Sequence, residues 1–297
     1  MVGDQVETMS HRTRTVTTAD VPAVVPLLNA AYGENPTFDS RFRTYLALQP
    51  DGWVAVDGES GLIGVGGFVA FDRCAYVGLM AVAPQAQRQG VGALIFDEIL
   101  GRCSATGRGL LLLDASAPGA PLYAGRSFVD DGLSLSYVID PKVAGALEES
   151  PGIRVDPLDP VDAKVLAEVA RLDARGYGAD RTALIRRVLE QFSGRAFLAR
   201  DGAGDPVGYA VAQSRSFGPC VAASPAVARA LLRRAMALPF EGRVSWLVPG
   251  QNAAATKLAE AVGGAPTRTW RHMRRGSGAL LESDWSSLYA KASLAVG

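Results

Sequence analysis

Residues Val82 to Leu100 read VAPQAQRQGVGALIFDEIL. A strand-like run, Val77 to Val82, enters this stretch and meets Pro84. Two glycines follow as Gly90-x-Gly92, and an apolar helical pattern begins directly after them. Glycines let the backbone turn and bring its N–H groups close to an anion, and the helix N-terminus adds partial positive charge. With Arg88 as a further cation, the stretch reads as a phosphate cradle. A P-loop would need Gly-Lys-Ser/Thr, which is absent. A dinucleotide fingerprint would need a third glycine where Ile95 stands. Gly64-Val-Gly66-Gly67 leads into the strand Phe68 to Phe71 instead, the context of a bulge or of a closely approached backbone.

The chain has 297 residues, enough for one large domain or two of ordinary size. Apolar residues make up 48% and charged residues 20%, ample for a core. Thirty basic residues balance thirty acidic ones, so no basic excess argues for nucleic acid or an anionic membrane as partner. Cys74, Cys103 and Cys220 are scattered without CxxC spacing, and His11 and His272 are the only histidines. Neither a disulfide framework nor a metal site is expected from them. MVGDQVETMSHRTRT carries no apolar signal region, and no apolar run approaches 18 residues, so the expected location is cytoplasmic.

The polar segment 1–11 reads as a flexible N-terminus. From a cap-like Thr18 or Asp20, the positions Val21, Val24, Val25, Leu27, Leu28 and Ala31 describe an amphipathic helix ending at Gly33. Trp53 to Val56 is a strand, and two more strands join near Asp72-Arg73 in a hairpin. A helix from Gly90 to Ala105, a buried strand at Leu110 to Leu113, a short helix at Pro121 to Arg126 and a strand at Leu133 to Ile139 follow. Asp140 to Pro160, rich in Pro, Gly and charge, is the boundary. Beyond it the order of elements starts again. Helices at Pro160 to Ala174 and Arg181 to Gln191 precede strands at Ala196 to Arg200 and Val207 to Ala212. The helix SPAVARALLRRAMAL, the strand RVSWLVPG and the helix NAAATKLAEAVG close the series. The pattern is two copies of one α/β unit, 12–140 and 159–297, joined by a linker at 141–158.

The loop resembles the acyl-CoA loop of the GCN5-related N-acetyltransferase (GNAT) superfamily, Gln/Arg-x-x-Gly-x-Gly/Ala after a strand ending in V-x-P. Here the match is Val82-Ala-Pro84 followed by Gln87-Arg-Gln-Gly90-Val-Gly92. The downstream half of the family pattern is Asn, Ala three later, Leu-Tyr, and the Phe of Gly-Phe five after Tyr. This chain reads Ser116, Gly119, Leu122-Tyr123 and Phe128, with Ser127 in place of that Gly. The resemblance covers residues 12 to 140. It implies an α/β (α+β) fold of two tandem GNAT-like domains, each a mixed, mostly antiparallel central sheet flanked by helices.

The resemblance also implies roles. The backbone from Gln87 through Arg88, Gln89, Gly90, Val91, Gly92 and Ala93 would bind the pyrophosphate of acetyl-CoA. The strand edge Met80, Ala81, Val82 would pair with the pantetheine arm, and the Val82 N–H would serve as an oxyanion donor. Ser116, with Gly119 beside it, would bond the arm where Asn usually does. Tyr123 would protonate the departing thiolate, as a phenol that holds its proton at neutral pH can. No carboxylate lies on Cys74 to Val82 to act as base. Asp72, Asp114 and Glu34 are the candidates, each read as an ordinary solvated or capping carboxylate, with a water chain as the alternative.

The second copy keeps Asn252, Ala255 and Leu258 but sets Val227 opposite Gly90 and Ala259 opposite Tyr123, with Ser224-Pro-Ala-Val-Ala-Arg229 where the loop should be. This half reads as degenerate, without a CoA site. The basic strand Thr267 to Gly276 reads as a solvated face, with binding of an acidic acceptor as the alternative, and His272 within it as a surface residue rather than a base. Trp246 and Trp270 are core or interface residues. The expected function is an acetyl-CoA-dependent N-acetyltransferase acting on a primary amine of a small molecule by direct attack in a ternary complex. The other class is a non-catalytic CoA-binding or ligand-sensing module. The expected partner is a small-molecule amine, not nucleic acid or membrane, on a monomer or homodimer.

Overall fold

The computed structural model describes residues 11–59, 61–276 and 281–297. The segment expected to be loose, 1–11, lies outside these except for His11. Backbone contacts divide the chain into two compact units: residues 1–68 with 79–106, and residues 69–78 with 107–297.

The first unit contains β1 (Thr13–Thr15), α1 (Val21–Tyr32), α2 (Phe38–Leu48), β2 (Trp53–Gly58), most of β3 (Gly61–Ala70), the end of β4 (Cys74–Val82) and α3 (Val91–Ala105). β1 pairs antiparallel with β2, and β2 antiparallel with β3. Asp20 accepts hydrogen bonds from the Thr17 N–H and hydroxyl just ahead of α1, and Gly33 ends that helix at φ +91°. α2 was not anticipated. Its Phe38, Phe42, Tyr45 and Leu46 are buried at helical spacing, and Phe42 meets Trp53 edge-on with ring centroids 4.9 Å apart.

α3 explains the glycines of β3. A Cβ at Gly64 would stand 2.6 Å from Cδ1 of Ile95, and one at Gly66 would stand 2.2 Å from Sδ of Met80 and 3.0 Å from Cγ2 of Ile95. A Cβ at Gly67 would fall 2.4 Å from the Trp53 ring. The close-approach reading of this cluster holds: the helix lies directly on the bare strand.

The second unit contains the start of β4 and then β5 (Leu110–Ala115), α4 (Ala120–Ala124), β6 (Val129–Ile139), α5 (Pro141–Gly145), β7 (Arg154–Pro157), α6 (Ala163–Tyr177) and α7 (Thr182–Gln191). It continues with β8 (Ala196–Arg200), β9 (Pro206–Ala212), β10 (Ser216–Ala222), α8 (Pro225–Met236), β11 (Val244–Pro249), α9 (Ala253–Ala261), β12 (Ala265–Arg275) and β13 (Leu288–Ala290). Its strand order is β4-β5-β12-β6-β11-β10-β9-β8-β7, with β13 against β10. The β4–β5 and β10–β11 pairs are parallel and the rest antiparallel, so the sheet is mixed and mostly antiparallel.

Within this order, strands from far apart in sequence are interleaved. β12 lies between β5 and β6, with Met273 opposite Leu113 on one side and Trp270 opposite Ser134 on the other. β6 in turn lies between β12 and β11, with Tyr137 opposite Trp246. Trp246 and Trp270 are buried, as expected. Trp246 donates its indole N–H to the Tyr289 carbonyl at 2.9 Å and meets Phe217 edge-on, in a core with Leu231, Leu232 and Val244.

Candidate functional site

In the first unit the site begins where β4 leaves its ladder. The β4–β5 register ends at Val77 opposite Leu113, and two residues later Leu79 takes φ +51°. Left-handed backbone costs an L-residue with a Cβ about 1–2 kcal/mol, so this kink is imposed by its surroundings. The Tyr32 hydroxyl donates to the Met80 carbonyl at 2.7 Å, and the Ala83 N–H to the Ile63 carbonyl at 2.8 Å. Pro84–Ala86 makes a single 3₁₀ turn. The Gln87 side-chain amide then donates back to the Val82 carbonyl at 3.1 Å, and that of Gln89 to the Gln85 carbonyl at 2.7 Å. Gln87 and Gln89 thus hold the loop's shape through their side chains.

Arg88 stands at φ +62° and Gly90 at φ +85°. Nothing lies within 4 Å of where a Gly90 Cβ would be, so the conformation, not crowding, demands glycine there. Gly90 caps α3, whose first internal bond is Leu94 N–H to the Gly90 carbonyl at 2.9 Å. The N–H groups of Val91, Gly92 and Ala93 have no carbonyl one turn earlier within the helix. They sit at its positive end beside open space and the exposed Arg88. The loop thus has the left-handed turn and the open helix start expected of Gln87 to Gly92.

The second unit holds the other motif residues. Ser116 accepts at its carbonyl from Gly119 and Ala120 (3.0 and 2.9 Å) and at its hydroxyl from the Gly119 N–H at 3.2 Å, which turns the chain into α4. A Cβ at Gly119 would meet that hydroxyl at 3.1 Å and the Tyr123 ring at 3.4 Å. Tyr123 is buried, and burial pushes its phenol up to about 12. Its ring lies 6.3 Å from that of Phe128. Ser127 takes φ +65° at the position where the family pattern has glycine. Asn252 makes the corresponding turn ahead of α9. Its side chain accepts from Ala255 N–H at 3.0 Å and donates to the carbonyls of Ser286 and Leu288. The two groups of predicted residues, 80–93 and 116–123, thus belong to different compact units.

Asp114 and His272 require correction. Both read as solvated in the sequence, yet the Asp114 side chain is 0% exposed and that of His272 3%. β12 pairs with β5 so that the two stand opposite each other, 158 residues apart in sequence, and no local pattern could show it. The Asp114 carboxylate accepts from the Tyr76 hydroxyl at 2.7 Å, the Ser134 hydroxyl at 2.8 Å and the buried Lys291 ammonium at 3.2 Å to each oxygen. His272 Nδ1 lies 3.0 Å from it. Burial alone would raise the Asp114 pKa, but Lys291, His272 and Tyr76 together hold it far below the ordinary carboxylate range. Burial lowers His272, and Lys291 adds to that, while Asp114 pulls the other way. Lys291 is lowered chiefly by burial. Asp72, by contrast, is exposed and accepts from the Asp180 N–H, and Glu34 is exposed.

Among the described residues no group of three or more His, Cys, Asp or Glu is placed to hold a metal ion, and no helix is long and apolar enough to cross a membrane. Two family models, both described as an acetyltransferase (GNAT) domain, match residues 39–136 and 169–290. No curated protein matches the chain. A candidate acetyltransferase from Pyrococcus horikoshii superposes with a TM-score of 0.83 over 100% of this chain and 99% of its own, at 23% identity. A tandem GNAT protein from the clavulanic acid biosynthesis pathway gives 0.67 over 91% and 99% at 16% identity. A GCN5-related N-acetyltransferase from Sphaerobacter thermophilus gives 0.67 over 92% and 98% at 17% identity. At these identities the likeness is one of fold. With both family-model matches and a mixed, mostly antiparallel sheet flanked by helices, the chain belongs to the GNAT acetyltransferase superfamily as a tandem-domain member.

Proposed function

We propose that the protein is an acetyl-CoA-dependent N-acetyltransferase acting on a primary amine of a small molecule, with its CoA site in the half spanning 12–140. The observation that carries this reading is the loop ahead of α3. Two left-handed residues, Arg88 and Gly90, present the free N–H groups of the helix's first turn beside open space. The residues fit a pyrophosphate, because a side chain grown from Gly90 would both strain the backbone and enter the space an anion needs.

Acetyl-CoA, when bound, supplies an activated acetyl group as a thioester. Arg88 through Ala93 hold its phosphates, and Met80 to Val82 offer backbone groups to its arm, with the Val82 N–H donating to the carbonyl oxygen. A C–N bond forms to the amine as the C–S bond breaks. The Tyr123 phenol gives its proton to the departing sulfur, and the amine's proton leaves to a base. With its pKa at about 12, Tyr123 is protonated at every working pH. Ser116, whose hydroxyl lone pair takes the Gly119 N–H, keeps its O–H for donation to the arm.

In the half spanning 159–297, beyond the linker 141–158, the equivalent helix start lacks these means. By cap position the residue opposite Gly90 is Ser224, three residues before the Val227 indicated by sequence spacing. Pro225 has no N–H, the Val227 N–H goes to the Ser224 hydroxyl at 3.4 Å, and the Val227 side chain packs on Gly208. An anion would find few donors there.

Calorimetry with acetyl-CoA and thiol release with a panel of amines test the reading. Gly90→Glu is expected to weaken acetyl-CoA binding at least a hundredfold while the protein stays folded. Tyr123→Phe is expected to keep the affinity and lower turnover at least tenfold. Unchanged binding in Gly90→Glu would remove the site, and binding without transfer to any amine would favour a ligand-sensing role.

A further inference from the structure

The two copies share an order of features around their parallel strands. β4 pairs parallel with β5 across α3, and β10 pairs parallel with β11 across α8. In each, the parallel register ends early and a positive φ follows. β4 leaves its register at Val77, and Leu79 stands at φ +51°. β10 leaves β11 at Phe217, opposite Trp246, and Gly218 stands at φ +131°. Where a parallel pair parts, the unpaired N–H and C=O groups of both strands face a slot that accepts another extended chain. In the second copy, wholly within the second unit, that slot is filled by the protein itself.

β13 lies there. Ala290 pairs antiparallel with Cys220 of β10 and Leu288 with Val221, and the Ala222 N–H donates to the Ser287 carbonyl at 2.8 Å. On the other side the Lys291 N–H donates to the Leu247 carbonyl of β11 at 2.9 Å, and the Trp246 indole reaches the Tyr289 carbonyl. Leu288, Tyr289 and Ala290 are buried. The segment lies so close to Gly218 that a Cβ there would stand 2.4 Å from the Lys291 carbonyl oxygen. Asn252, also buried, follows β11 as Ser116 follows β5. Its side-chain N–H groups donate to the carbonyls of Ser286 and Leu288 at 3.0 and 3.1 Å, while its oxygen caps α9 at the Ala255 N–H. Carbonyls two residues apart are what an extended backbone presents along one edge.

We propose that residues 286–291 are a built-in occupant of the second copy's arm slot: a peptide backbone held by groups able to take an extended amide chain such as pantetheine. Main-chain hydrogen bonds of this kind bind any extended chain that offers amides in the right order, and the pantetheine arm is one. The slot is shut by occupation, and the poor anion site at Ser224 and Pro225 adds to this. Asn252 holds the segment near its start. Lys291 fastens its far end, since its ammonium pairs with the buried Asp114 carboxylate at 3.2 Å. The choice of pantetheine as the ligand class rests on the acetyl-CoA reading above.

Amide hydrogen exchange of the full chain, read by mass spectrometry, tests this. In the wild-type protein, 286–291 should exchange at least a hundredfold more slowly than an unstructured chain. Asn252→Asp keeps the oxygen that caps α9 but has no N–H for the Ser286 and Leu288 carbonyls. It should speed exchange of 286–291 at least tenfold and leave 253–261 unchanged. Leu288→Glu puts a charge in a buried place and unseats the segment while Asn252 stays. Millimolar pantetheine should then slow exchange of 216–222 at least threefold, and have no effect on 216–222 in the wild type. Rapid exchange of 286–291 in the wild type, no change in Asn252→Asp, or pantetheine protection of 216–222 in the wild type would overturn the proposal. So would Leu288→Glu left unprotected by pantetheine. Should Leu288→Glu fail to fold, the wild-type and Asn252→Asp measurements decide alone. No acetyl-CoA enters these measurements, so failure of the CoA site, read by calorimetry, is a separate result.

Discussion

Leu79, Arg88 and Ser127 are the non-glycine residues with left-handed backbone among those described, and each falls in a segment that carries a family motif. Leu79 kinks β4 ahead of the predicted arm-binding edge, Arg88 sits in the loop, and Ser127 follows the helix of Tyr123. Strained backbone collects where geometry is held for a task. Of these, the Ser127 position was legible, because the family pattern places glycine there. Asp114 and His272 were not, since burial is set by a strand partner far away in the chain. They also make a prediction about pH. The folded pKa of His272 lies below the ordinary 6.5, so just below pH 6.5 the unfolded chain binds a proton that the folded one does not. Stability should therefore fall as pH drops from 7 to 5, and the depressed Asp114 extends the loss below about pH 4. In urea unfolding, His272→Gln should flatten the decline between pH 7 and 5; an unchanged slope would show that His272 is not its source.

At the scale of elements, the close approach to the β3 backbone was readable from its glycines, though not the helix that makes it. Gly64, Gly66 and Gly67 stood in a strand context, and each is now seen under a side chain that would clash with a Cβ. Gly66→Val pushes against Met80 and Ile95, and overpacking of this kind costs about 1–3 kcal/mol. The midpoint of urea unfolding should drop accordingly, and a variant as stable as the parent would mean that α3 can shift away freely. α2 was readable but unread: Phe38, Phe42, Tyr45 and Leu46 have helical spacing, yet no glycine or cap drew attention to them. β10 was hidden for another reason. Gly218 and Pro219 interrupt Ser216–Ala222, and such residues ordinarily argue against a strand. In the structure the same segment shows a register shift between Phe217 and Cys220 against β9, where the interruption is absorbed.

At the scale of the molecule, the two family-model matches and the repeated order of elements agree on a tandem protein. With one glycine-bearing helix start and one closed by Ser224 and Pro225, acetyl-CoA should titrate to one site per chain. A calorimetric stoichiometry of two would show that the C-terminal half works after all. The repeat was legible because helix and strand periods are local. The interleaving of β12 with β5 and β6 was not, because hydrogen-bond partners across a sheet leave no trace in spacing. That interleaving matters while the chain is being made. β5 (from Leu110) and β6 (from Val129) both precede by more than a hundred residues the strand that separates them, which begins at Ala265. Until β12 arrives, facing edges of the early sheet stay unpaired, open to pairing with each other or with another nascent chain. The order of the strands in the chain thus leaves the joining of β5 to β6 to a strand made long after both.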